Sequence, residues 1–194
     1  MRVLVVAEGK HEQSGALEYL LKKLGGVDAS LEFDRVSNNR IHAFHGKGKG
    51  YFKRAVRWLR EAEDRNADSL VFLIDEDGRS ERIEQISDAQ ESNISQLPRA
   101  MGVAIRMFDA WMLADEKTLS EVLGDKVNRQ ADPETIRNPK RVCADLLTKS
   151  QAQMSQSEMY TNVSQLIDVD ILCDRCPLGF KPFAGYVRNV FQQS

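Results

Sequence analysis

The chain has 194 residues, 42% of them hydrophobic and 29% charged, the proportions of an ordinary globular protein with room for one real core and an elaboration. No apolar run approaches the ~18 residues needed to span a bilayer, and three cysteines, an odd number, argue against a disulfide framework and for a reducing cytoplasm. A formal net charge of -2 does not announce a nucleic-acid binder, although local clustering of Lys and Arg counts for more than the total.

The N-terminus starts like a secretory signal, but Glu8, Lys10 and Glu12 break the apolar stretch before an h-region forms, so residues 2–7 are expected as a first strand. Within residues 12–24, Ala16, Leu17, Leu20, Leu21 and Leu24 recur at helical intervals, and Gly25-Gly26 closes that helix. Residues 31–36 read as a second strand and 40–44 as a short extended piece. The glycine-rich loop at 45–50 follows, then a helix from Tyr51. That helix carries Phe52, Ala55, Val56, Leu59 and Ala62 along one side and Lys53, Arg54 and Arg57 largely on others.

Leu70 to Ile74 is an unbroken apolar run, the pattern of a strand buried on both faces of a parallel sheet. A polar helix is expected within 79–97, on the spacing of Ile83, Ile86 and Gln90, then a short strand at 103–105 leading into a short helix at 108–115. Beyond Asp115 the composition shifts to polar helices broken by Pro133 and Pro139, with helical pieces at 141–147 and 160–167 and a mobile loop at 150–159. Strands alternating with helices predict an α/β fold, Rossmann-like, with a mostly parallel sheet flanked by helices over residues 1–115. Residues 116–194 are expected to form a C-terminal helical extension packed on it.

The acids fall at strand ends. Glu8 follows the first strand, Asp75 and Asp77 the central one, and Asp109 the last, and ligands of open parallel sheets bind outside the carboxyl ends of the strands. In an extended chain residues two apart face the same way, so Asp75 and Asp77 are expected to face together. Carboxylates so gathered repel unless a cation lies between them, and hard oxygen ligands suit Mg²⁺ or Mn²⁺. Glu8 is then expected within about 10 Å of the Asp75/Asp77 pair, since a greater separation lies well beyond any shared magnesium shell.

Each feature also has a plain explanation. Asp75-Glu-Asp77-Gly78 is a natural solvated turn. The loop Gly46-Lys-Gly-Lys-Gly50 lacks the Lys-Ser/Thr ending of a Walker A motif and is either a connector or, with the basic helix behind it, a cradle for nucleic-acid phosphates through Lys47, Lys49, Lys53, Arg54 and Arg57. Cys173 and Cys176 have C-x-x-C spacing without a convincing partner set, so they are expected in the packing, as are Phe108 and Trp111. His11 lies beside the acids, and a solvated first-turn histidine accounts for it. A receiver domain or a haloacid-dehalogenase-type phosphatase would carry its acid pair after the first strand; here the pair follows the central one.

Val3-Leu-Val-Val-Ala-Glu8-Gly9, followed much later by Leu73-Ile-Asp75-Glu-Asp77-Gly78, resembles the TOPRIM domain of type IA topoisomerases, bacterial primases and OLD-family nucleases. The form Glu8-Gly-Lys-His-Glu12 is more similar to OLD-like and small stand-alone TOPRIM proteins, as are residues 108–115 and Arg175-Cys-Pro177. The resemblance implies Glu8 as general acid/base, a metal shell drawn from Glu8, Glu12, Asp75, Asp77 and Asp109, and Mg²⁺- or Mn²⁺-dependent phosphodiester cleavage with water as nucleophile. Asp109 stands where the stand-alone proteins more often carry Glu. The resemblance also implies an anti-phage setting in which an ABC- or AAA-type ATPase holds a partner-gated TOPRIM subunit in check. DNA and RNA both stay open as substrates, as does pairing into a homodimer.

Overall fold

The computed structural model describes residues 1–9, 15–38 and 50–193. Among them four strands form one sheet: β1 (Arg2–Ala7), β2 (Ser30–Arg35), β3 (Ser69–Asp75) and β4 (Arg99–Ala104). Every pairing is parallel and the order is β2-β1-β3-β4. Strand alternation divides the core in two. Val3, Val5, Ala7, Val71, Leu73, Ala100 and Ala104 belong to one buried cluster. Leu4, Val6, Leu70, Phe72, Ile74, Met101 and Val103 belong to the other. A sheet covered on both faces needs apolar side chains at every position, which is why Leu70 to Ile74 carries no polar residue.

Helix α1 (Ala16–Leu21), which runs on through a wider turn at Lys22–Gly26, covers the first face. Helices α2 (Tyr51–Asp64) and α3 (Glu81–Glu91) cover the second. Then come α4 (Asp109–Met112), α5 (Glu116–Leu123), a 3₁₀ turn (Pro133–Thr135), α6 (Pro139–Lys149), α7 (Gln156–Leu166), α8 (Val169–Arg175) and α9 (Phe180–Gln192). The fold is α/β, a parallel sheet flanked by helices with further helices at the C-terminus. No described helix is long and apolar enough to cross a membrane.

The C-terminal helices finish the first face. Trp111 packs against Phe180 and Phe183 of α9, with ring centroids 5.0 and 5.8 Å apart. One buried cluster runs from Val3 of β1 to Val190 of α9. Gly102 makes this possible, because a β-carbon there would lie 2.5 Å from the Phe183 ring.

That glycine also explains why the sequence starts the last strand four residues too late, since it interrupts the β-branched pattern. Pro133 and Pro139 open the 3₁₀ turn and α6 rather than break helices, as a residue without an N–H can at a first turn. Residues 156–159 of the loop expected at 150–159 are helix, because Ser155 and Glu158 form a reciprocal capping box that starts α7 at Gln156. The extended piece expected at 40–44 lies outside the described residues.

The topology marks one place for a ligand. From β1 the chain leaves through α1 on one face toward β2, and from β3 it leaves through α3 on the other face toward β4. The crevice beyond the carboxyl ends of β1 and β3 is therefore a topological switch point, where open α/β sheets bind their ligands.

Candidate functional site

Glu8, one residue past β1, sits in that crevice. Its Oε2 accepts the backbone N–H of Asp75 at 3.2 Å, taking over where β1 stops pairing with β3. Its Oε1 accepts the Tyr51 hydroxyl at 2.5 Å. Tyr51 is the first residue of α2, and its own N–H donates to Gln85 Oε1 of α3 at 2.6 Å, so the two helices on that face are tied together at the acid. Burial first, and then the hydrogen bond and charge of Glu8, push the Tyr51 phenol up to about 12; it stays a neutral donor.

Strand alternation stops at Asp75. Asp77 and Gly78 both have left-handed backbones, φ 53° and 71°, and the Arg79 N–H closes the turn on Glu76 O at 3.0 Å. This is the positive-φ pair of a type I′ turn, the form that Asp-Gly favours. The turn rather than an extended chain therefore sets where Asp77 lies. Asp75 Oδ1 accepts the Phe108 N–H at 2.8 Å, which fastens β3 to the segment after β4.

The cation between the acids is Arg82, in the first turn of α3. It is 6% exposed. Its Nη1 donates to Asp77 Oδ2 at 2.9 Å and to the Asp75 carbonyl at 2.5 Å, and lies 3.6 Å from Glu8 Oε2. Glu8 and Asp77 thus share one nitrogen, well inside the 10 Å expected of them. Its guanidinium stands 4.5 Å from the Tyr51 ring centroid, and that of Arg54 stands 4.7 Å from it. A charge-assisted hydrogen bond is worth up to ~3 kcal/mol when dry, but the Asp77 side chain is 42% exposed, so screening brings this pair toward about 1 kcal/mol.

Asp109 is placed differently. It is 4% exposed at the start of α4, and its carboxylate accepts the hydroxyl of buried Tyr160 from α7. Cys143 Sγ lies 3.6 Å from its carbonyl oxygen. Burial raises the Tyr160 phenol strongly and pushes the Cys143 thiol up to about 12, so both stay protonated where they pack on Asp109. Among the described residues no three His, Cys, Asp or Glu side chains form a metal-holding group. Asp109 does not join the shared Glu8–Asp77 contact, and Glu12 lies outside the described residues.

Of the basic residues expected to meet a phosphate backbone, Lys47 and Lys49 lie outside the described residues. Lys53 is exposed and Arg54 is half-buried beside Tyr51. Arg57 needs correcting: it is 6% exposed, because the buried arc of α2 runs Ala55, Arg57, Trp58, Leu59 and Ala62 and is wider than its apolar positions imply. Cys173 and Cys176 are free and buried.

Sequence reasoning missed Arg82 and Tyr51. Arg82 follows Asp77 by five residues and so returns on the first turn of the next helix; Tyr51 opens the helix after the glycine-rich loop. A family model described as a domain of unknown function (DUF4276) matches residues 7–187, from the end of β1 into α9. No curated protein and no solved structure matches the chain.

Proposed function

The chain belongs to the family so matched, and we propose that it is a divalent-metal-dependent nuclease that hydrolyses phosphodiester bonds of nucleic acid. One observation carries the reading: Glu8 and Asp77, from the ends of two strands at the switch point, share a single cation nitrogen. The donor set fits Mg²⁺ or Mn²⁺, since such ions take one or two carboxylates and complete their shell with water and substrate oxygens. Glu8 and Asp77 would hold the ion, with Asp75 beside them. It would polarise the phosphoryl oxygens and lower the pKa of a bound water. The chain's own groups do the rest. Glu8 serves as the proton acceptor, oriented by the Tyr51 hydroxyl and the Asp75 N–H. Lys53 and Arg54 add positive charge beside it for the nucleic-acid backbone.

The test is cleavage of labelled DNA and RNA with Mg²⁺ or Mn²⁺. Glu8→Gln and Asp77→Asn should each lower the rate by at least about 100-fold, the usual scale of a lost general base, with circular dichroism unchanged. Cleavage that survives both substitutions overturns the proposal.

Arg82 favours a second reading, a partner-gated subunit. An internal guanidinium already satisfies the acids, which suits a chain held silent until another protein, such as an ABC- or AAA-type ATPase in anti-phage defence, releases it. Co-purification with an ATPase, and cleavage only after its removal, support this reading. A monomer fully active alone removes it.

A further inference from the structure

A cleft of about 440 Å³, lined by Asp77, Gly78, Arg106, Met107, Arg137 and Asn138, opens beside the acids. Its volume lies within the range of small-ligand sites. We propose that it is a phosphate-binding subsite, with Arg106 and Arg137 as its cations, which takes a backbone phosphate of the nucleic acid next to the scissile one. The proposal rests on the nuclease reading for its substrate class and on the cleft for its location.

The arginine nearer the acids is held firmly. Arg106 has a left-handed backbone, φ 63°, an uncommon state for a residue with a β-carbon that persists only where its surroundings fix it. Here they do. Its N–H donates to Glu76 Oε2 at 3.1 Å, and its carbonyl accepts the Asp77 N–H at 2.9 Å. One residue before Asp77 and two before Arg106, the Glu76 N–H donates to the Ala104 carbonyl at 2.9 Å. The turn that carries Asp77 and the turn that carries Arg106 are thus laced together. The guanidinium lies over Gly78, where a β-carbon would stand 3.7 Å from Arg106 Nη1, at ordinary contact distance.

Neither the Arg106 nor the Arg137 side chain has an ion-pair or hydrogen-bond partner among the described residues, and Arg137 is exposed. The single carboxylate in the lining is Asp77, and its Oδ2 already accepts from Arg82. Two planar guanidinium forks with their donors unspent match the oxygens of a phosphodiester better than any neutral ligand. Asn138 caps α6, an 11-residue helix, through its side-chain oxygen on the Arg141 N–H at 3.1 Å. The positive end of that helix therefore reinforces the same sign of charge. Lys53 and Arg54 do not line this cleft, so it is separate from the basic helix that the sequence singles out.

Binding is measured without metal, so that cleavage plays no part. Fluorescence anisotropy of a short labelled oligodeoxynucleotide, and of its RNA counterpart, is followed in EDTA for the whole chain across a salt series. Arg137→Glu should weaken binding about tenfold or more and lower the salt dependence by about one phosphate contact; Arg106→Gln should act in the same direction. Lys149→Glu, with the same charge change on an exposed residue at the far end of α6, should shift binding less than about twofold. Wild type that fails to bind either probe, or Arg137→Glu that binds like Lys149→Glu, overturns the subsite. If Arg137→Glu loses binding while no form of the protein cleaves, the subsite stands and the nuclease reading falls. If Glu8→Gln loses cleavage while Arg137→Glu binds normally, the subsite falls alone.

Discussion

Glu8 and Asp109 both follow a strand at the same edge of the sheet, and they end in opposite surroundings. The Glu8 side chain keeps 27% of its surface exposed, and its two oxygens meet a phenol, a backbone N–H and a guanidinium. Asp109 is 4% exposed and meets the hydroxyl of a buried tyrosine among the C-terminal helices. What separates them is the layer above. Glu8 lies at the switch point, where helices diverge to opposite faces and leave a crevice. Asp109 lies where α4 and α7 close over the sheet. A strand end alone does not leave an acid open to a ligand; that needs a gap in the layer above.

The contrast can be broken from the Asp109 side with the largest effect on stability. Asp109→Ala strands the Tyr160 hydroxyl in the core and should cost about 2–3 kcal/mol, a fall in Tm of roughly 5–10 °C at this chain length. Nucleic-acid cleavage per folded molecule should stay within about twofold of wild type. Thermal unfolding read alongside cleavage checks both. An Asp109→Ala protein of normal Tm that no longer cleaves would move Asp109 back among the ligands, as the TOPRIM-like pattern implies.

A middle-sized effect is expected at Arg82. Arg82→Gln leaves Glu8 and Asp77 facing one another without their shared cation and should cost about 1–2 kcal/mol in EDTA. Mg²⁺ should restore more stability to this variant than it gives wild type, since metal binding to the native state adds to stability by mass action. Thermal melts with and without Mg²⁺ decide the matter. If added Mg²⁺ leaves both proteins unchanged, the acids are a structural ion-pair cluster and hold no metal.

The same two acids show how far the sequence could be read. The central strand was legible from Leu70 to Ile74 because burial on both faces removes every polar choice. The approach of Glu8 to Asp77 was legible because parallel strands carry their ends to one edge. The fate of Asp109 depends on Tyr160, 51 residues further on, and no local pattern announces that partner. Arg82 was hidden for another reason: carboxylates gathered at strand ends imply a metal ion between them, while the next helix supplies a guanidinium. The apolar spacing of α9, with Phe180, Phe183, Ala184, Val187 and Val190 buried, was present in the sequence. Its weight was lost because the chain beyond Asp115 looked like an appendage, whereas it covers one face of the sheet.

The smallest effect separates the two tyrosines that serve the two acids. Tyr51→Phe removes the donor to Glu8 Oε1 from a half-buried position, and water can replace it, so stability near neutral pH should fall by less than about 1 kcal/mol. The alkaline limb is more telling. The Tyr51 phenol is raised in the folded state to about 12, against about 10 unfolded. A raised pKa means that the folded chain keeps a proton that the unfolded chain gives up. The contribution is therefore fully present below about pH 10 and is lost as pH rises toward 12. Tyr51→Phe should flatten the decline in stability across that window and remove one phenolate from the ultraviolet titration near its upper end. Tyr160, raised beyond it by burial, should titrate only as the protein unfolds. If both phenols ionise together near pH 10 in the folded protein, the Glu8 pocket is open to water, and the orientation of Glu8 by Tyr51 goes with it.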